Sequence, residues 1–193
     1  MAMNLLGNGL SAAGRHEDAL SVREAELATL RRLGASEDRI LGAQGNIATT
    51  YEKVGRLDEA LPLRQEVYSG HLKLHGEEDG ETLLSANNYA VSLIGLQRFK
   101  EAKSLFRKTM PVARHSLGEG HITTLWMRLN YAHPLYHDAA ATLDDLREAV
   151  TTLEEIERTA QRVLGGANPT TKSIERSLQE ARSFLRAREA PGS

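Results

Sequence analysis

The chain contains no cysteine, which excludes disulfides, thiolate metal sites and a cysteine nucleophile, although a lack of thiols does not by itself fix a redox compartment. Aromatic residues are scarce at 5%, and strand-like alternation is absent, so a sandwich or barrel core is not expected. Neither charge sign is in excess. Twenty-four basic residues are scattered among 26 acidic ones for a formal net charge of −2, and no basic block exists to neutralise a row of phosphates, so nucleic acid is not expected as a partner. No run of about 18 apolar residues occurs, so direct membrane insertion is not expected. The start, Met1 to Arg15, lacks the charged first region and solid apolar stretch of a secretion signal. These absences point to a soluble intracellular protein, cytoplasmic by default. An organellar destination after removal of a targeting segment stays open.

What is present is an ordinary folded composition, with 40% hydrophobic and 26% charged residues, rich in leucine, alanine, glutamate and arginine. The chain also repeats itself. Gly14-Arg-His-Glu-Asp-Ala-Leu20, Gly55-Arg-Leu-Asp-Glu-Ala-Leu61 and Gln97-Arg-Phe-Lys-Glu-Ala-Lys103 begin 41 and 42 residues apart, with a degenerate copy at Leu146-Arg-Glu-Ala149. Each copy opens a helical stretch that stops at a glycine, Gly34, Gly76, Gly118 or Gly165, where a left-handed residue can close the helix. Before each turn comes another recurring segment: Gly45-Asn-Ile-Ala-Thr-Thr-Tyr51, Asn87-Asn-Tyr-Ala-Val-Ser-Leu93 and Leu129-Asn-Tyr-Ala132. Three landmarks sharing one period define a unit of helix, short turn, second helix and polar loop.

The pattern predicts helices over residues 3–12, 17–33, 39–53, 58–75, 80–95, 100–117, 121–138, 143–164 and 170–188. Ala48, Ala90 and Ala132 on first helices, and Ala19, Ala60, Ala102 and Ala149 on second ones, are expected where helix axes approach closely. Asp58 is expected to cap its helix, with Pro62 in the first turn. Pro111 is expected to kink its helix, and Pro134 to interrupt the one it lies in. The last helix should bury Ile174, Leu178, Ala181 and Leu185 and close the array. The whole reads as one all-α domain over residues 1–190, with units at about 1–34, 35–76, 77–118 and 119–165, a capping helix at 170–188 and a disordered tail at 189–193.

These residues resemble tetratricopeptide repeats of the long, 42-residue kind found in kinesin light chain and related scaffold proteins. The likeness rests on the Asn-hydrophobic-Ala and Gly-Arg-x-x-Glu-Ala patterns and on linkers such as Leu164-Gly-Gly-Ala-Asn-Pro-Thr170. It departs at Arg64, which stands where the family usually has an aromatic or apolar residue. The resemblance implies a right-handed α-solenoid whose first helices line a concave groove that binds a protein or peptide partner. The groove candidates are then Asn46, Thr49 and Lys53; Asn87, Asn88 and Val91; and Trp126, Leu129, Asn130, His133 and Tyr136. Gly42, Gly45, Glu52, Leu84 and Ile94 flank them. Asparagine can hold an extended peptide backbone, though it can equally brace neighbouring helices. Trp126, Leu129 and Tyr136 could form an apolar pocket, or Trp126 could pack between units. The places where a chaperone-tail binder would carry lysine or arginine hold Gly42, Gly45, Leu84, Asn87, Trp126 and Leu129, so a carboxylate clamp is not expected.

Catalytic signals are thin. His71 with His75, and His133 with His137, are spaced to share a helix face but have no obvious third ligand, so no metal is expected. No glycine run carries a nucleotide-binding pattern, so no cofactor is expected. Asp144-Asp145 and Glu154-Glu155 read as a solvated face. The sequence therefore points to a non-catalytic scaffold or adaptor. Its alternatives are a structural subunit held in a larger assembly and a regulatory repeat fragment of a motor or enzyme.

Overall fold

The structure, a computed structural model, describes residues 2–190. Among them are nine helices and no strand: α1 Ala2–Ala12, α2 His16–Arg32, α3 Glu37–Lys53, α4 Leu57–His75, α5 Gly80–Gly95, α6 Phe99–Ser116, α7 Ile122–His137, α8 Leu143–Leu164 and α9 Pro169–Glu189. Each expected helix is present with its ends within two residues of the predicted positions. The chain groups into two compact units, one ending at Leu96 and the other beginning at Gln97. In the first, each helix from α1 to α5 packs on the next; in the second, α6 packs on α7, α7 on α8 and α8 on α9, with α7 also touching α9. Of the expected tail, Glu189 ends α9, and residues 191–193 lie outside the described residues.

The repeated Gly-Arg-x-x-acid motif has a local mechanical meaning. At Gly14 and Gly55 the chain enters the left-handed region, with φ of 75° and 81°. The glycine amide bonds back to Ser11 or Glu52, and the following arginine amide to Leu10 or Tyr51, closing the preceding helix in the six-to-one pattern that positive φ permits. The arginine side chain then clasps the acid three residues on: Arg15 to Asp18 at 2.7 Å, Arg56 to Glu59 at 2.5 Å and Arg98 to Glu101 at 2.7 Å. These second helices start without a side-chain cap. Of the helices that follow the longer loops, α5, α7 and α9 are capped by the side chains of Asp79, His121 and Asn168, whereas α3 starts after Ser36 without a side-chain cap.

In the third copy the glycine is replaced. Gln97 has a φ of 56°, the one positive-φ non-glycine among the described residues. A side chain in that region crowds its own backbone, whereas glycine does not. Gln97→Gly should therefore raise stability by about 0.5–1 kcal/mol, read as a higher urea midpoint at unchanged slope. A lower midpoint would mean that the glutamine side chain makes a contact worth more than the strain.

All seven alanines expected at close helix approaches have no exposed surface. Around them, Leu20, Leu27, Leu30, Ala43 and Ile47 form a core cluster in the first unit, with Tyr51 and Leu63 against it. In the second unit Phe106, Leu125, Met127, Leu135, Leu153, Ile156, Ile174 and Leu178 are fully enclosed. Helix α9 buries Ile174, Leu178 and Ala181 as expected, and Leu185 is half-buried.

The helix starts and prolines need correction. Asp58 is not the cap of α4: the Gly55–Arg56 turn starts the helix at Leu57, so its carboxylate already lies in the first turn, facing the positive end of the helix dipole. Pro62 consequently falls in the second turn, and α4 continues through it. Helices α6 and α7 likewise run unbroken through Pro111 and Pro134. Pro134 is buried in the last turn of α7, where the missing N–H removes a single bond and little helix remains to be disturbed.

Candidate functional site

The exposed faces of the first helices carry the sequence candidates, and two of the eleven turn inward. On α3, Gly42 and Lys53 are exposed while Asn46 and Thr49 between them are half-buried; on α5 the same register brings up Leu84, Asn88, Val91 and Gly95. In the second unit, α7 presents Trp126, Asn130, His133 and His137 at these repeat positions. Val91 and Trp126 stand out as large apolar side chains 39% and 38% exposed. Asn87 and Tyr136 leave the stripe, since both are buried, and Leu129 is half-buried.

Several stripe residues serve the fold itself. Arg23, buried on α2, donates from Nη1 to the Asn46 carbonyl at 3.0 Å and to Thr50 Oγ1, and from Nη2 to Asn8 Oδ1 at 2.8 Å. Burial pulls its pKa down, partly offset by Glu26. Lys53 donates to Ser11 Oγ at 3.0 Å. Arg64, buried on α4, donates to both Glu52 oxygens at 3.0 and 2.6 Å, to Thr49 Oγ1 at 3.0 Å and to the Gly45 carbonyl at 3.3 Å. Ser92 Oγ completes the Glu52 cluster at 2.5 Å. Thr49 and Lys53 are thus partly committed to holding helices together.

Asn46 differs: its backbone carbonyl is used, but its side chain has no hydrogen bond among the described residues. It lines a cleft of about 240 Å³ with Asn4, Glu26, Arg39 and Gly42. A Cβ at Gly42 would meet nothing within 4 Å, so this stretch of backbone is open. Asn4 was not among the sequence candidates, although it lies one 42-residue period before Asn46. The signal was available in the same register as Asn88 and Asn130; the glycine and aromatic landmarks of the first unit are incomplete, which hid it.

In the second unit Tyr136 does not join Trp126. Its ring lies 5.7 Å from His133, 4.5 Å from His137 and 5.9 Å from Phe184, beside a cleft of about 240 Å³ reaching to Arg188. Burial pushes the Tyr136 hydroxyl up. His133 is pushed down to about 4, by burial first and His137 second, so it is neutral at physiological pH and offers no cation to a ligand.

The histidine pairs acquire neighbours that the sequence did not reveal. Asp38 of α3 reaches His75 Nε2 at 3.0 Å and lies 4.0 Å from His71 Nε2, while His71 Nδ1 meets Ser85 Oγ at 2.6 Å. His133 and His137 stack at 4.1 Å. Among the described residues no group of three or more such side chains is placed to hold a metal ion.

The paired carboxylates are more engaged than a solvated face requires. Asp145 forms a reciprocal cap with Thr142, which with Lys103 holds its carboxyl below the usual range. Glu154 pairs with Arg182 at 2.8 Å, and Glu155 with buried Arg128. Charges repeated along α8 therefore stitch it to α7 and α9.

Comparison with known proteins agrees with this arrangement. Residues 39–115 match the family model for the tetratricopeptide repeat. No curated protein sequence matches the chain. Among solved structures, the chain is similar to the nearly identical TPR-like repeats assigned to a kinesin light chain of Podosopora anserina. The TM-score is 0.78 at 19% identity, covering 97% of this chain and 87% of that one. A single-substitution form of that protein gives 0.77 at 19% identity, covering 96% and 91%. BtubC (BKLC) of P. vanneervenii gives 0.64 at 15% identity, covering 99% and 81%. At these identities the likeness concerns the fold. Residues 39–115 thus match the tetratricopeptide repeat, and the described residues share the all-α helical-repeat fold of kinesin light chain-like structures.

Proposed function

We propose that this chain is a non-catalytic interaction scaffold that takes a peptide or helix of a protein partner along the exposed face of its first helices. Tetratricopeptide repeats generally mediate protein–protein interaction, which sets the class. The observation that carries the finer reading is the Asn46 amide, free of internal hydrogen bonds and set in a cleft with Asn4 beside open helix backbone. An amide offers a donor and an acceptor to an extended chain at once. Val91 and Trp126 supply apolar contact on the same register of their own units. No helix among the described residues is long and apolar enough to cross a membrane, which fits a cytoplasmic scaffold.

Replacing Asn46, Asn88 and Asn130 together by alanine should leave helicity near wild type and remove partners captured by the intact chain from its native extract. Capture compared by mass spectrometry, with circular dichroism alongside, reads both. Partners retained by the folded variant would overturn the groove reading and favour a structural subunit held through another surface.

A further inference from the structure

In the second unit, away from the first-helix stripe, a cleft of about 430 Å³ opens between the end of α6, the α6–α7 loop, α7 and α8. Its charge is lopsided. Arg114, Arg128, Arg158 and Arg162 line it against two carboxylates, Glu119 and Glu155. Both carboxylates are already engaged. Arg128, buried at the floor, donates to Glu119 Oε2 at 3.1 Å and to Glu155, while Arg114 Nε donates to Glu119 Oε1 at 2.5 Å. These pairs fix the floor and tie α7 to α8. Arg158 and Arg162 form the wall, one turn apart on α8, both exposed and without an ion pair or hydrogen bond among the described residues. The Thr159 hydroxyl between them is spent on the Glu155 carbonyl at 3.1 Å.

The cleft therefore carries two formal positive charges beyond its own carboxylates, concentrated on two neighbouring guanidinium forks. A singly charged carboxylate would leave one fork unmatched. A phosphoryl monoester at neutral pH carries close to two negative charges and three strong acceptor oxygens, and guanidinium groups meet it in bidentate fashion. We propose that this cleft binds the phosphoryl group of a phosphorylated serine or threonine side chain on a protein partner. The protein source rests on the interaction-scaffold reading; the anion site itself does not. Placing arginines near the C-terminal end of α8 also suits the helix dipole, but that role needs no shared cleft and no buried guanidinium floor.

The test uses the whole chain with labelled arginine side chains, following the Nε–Hε signals by NMR at constant ionic strength. The probe is N-acetyl-O-phosphoserine N-methylamide, compared with N-acetylglutamate N-methylamide and with inorganic phosphate. The expected result is a saturable shift of Arg158 and Arg162, half-complete on the order of 1 mM, at least about tenfold weaker with the glutamate compound. Arg158→Gln with Arg162→Gln should abolish the accompanying response of the Arg114 and Arg128 signals in the same cleft and leave the melting temperature unchanged. Equal response to both amides, or shifts spread over arginines outside the cleft, would overturn the phosphoryl site. Tighter binding of inorganic phosphate than of the phosphoserine compound would overturn the protein source. None of these outcomes depends on the asparagine stripe, so failure here and failure there are separate results.

Discussion

Arg64→Ala should destabilise the first unit by about 3–5 kcal/mol. The side chain is 8% exposed and its partner Glu52 23%, so solvent screens the pair little. Four hydrogen bonds vanish with the guanidinium, and Glu52 keeps only Ser92 beside it in a partly buried place. The decisive comparison is with Arg64→Met combined with Glu52→Gln, which removes both charges while keeping most of the volume. That double variant should lie within about 1.5 kcal/mol of wild type. Urea unfolding followed by circular dichroism gives all the corners of the cycle. If the single alanine variant loses less than about 1 kcal/mol, the cluster is surface decoration and the packing account of α3 on α4 fails.

Phe106→Ala should cost the second unit a similar amount, about 3–5 kcal/mol, by a different physical route. The ring is fully enclosed and meets Tyr131 edge-on at 6.3 Å, so truncation leaves a cavity lined by atoms that lose their dispersion partners. Phe106→Leu should recover most of the loss, because shape-tolerant apolar filling is what the site requires. A thermal melt unchanged on truncation would place Phe106 outside the core and upset the repeat register on which the buried alanines were predicted.

The two sites are one position. Arg23, Arg64, Phe106 and Leu153 each stand four residues after the small residue of a second helix: Ala19, Ala60, Ala102 and Ala149. The alanines were legible in the sequence because close approach tolerates almost nothing else, and their period fixed the helix ends as well. The side chain four residues on was not legible, because two chemistries satisfy it. An apolar residue fills it directly, and an arginine does so only where α3 supplies carbonyls, hydroxyls or a carboxylate to receive it. Sequence pattern registers Arg64 as a departure and passes over Arg23 altogether.

The candidate surface divides the same way. Asn46, Asn88 and Asn130 came from periodicity, and the same periodicity reached Asn4 without being followed. The inward turn of Asn87 and Tyr136 depends on helix rotation of a fraction of a turn, which period alone does not resolve. The Arg128 floor of the α6–α8 cleft was invisible because Glu155 looked like one of a solvated pair. Its partner is 27 residues away in sequence, and the pairing exists only once α7 and α8 are side by side.

The mixture of arginine and apolar residues at one repeat position bears on how such chains can be shuffled. A hairpin sealed by Phe106 or Leu153 would accept any neighbour with a greasy flank of suitable depth. A hairpin sealed by Arg23 demands a following helix that offers oxygen atoms at matching heights, and strands a charge against any other, whereas Arg64 finds its acceptors on α3 of its own hairpin and carries them along. Exchange of units is therefore penalised where α2 meets α3, which gives that junction a fixed reading order despite the nearly uniform period.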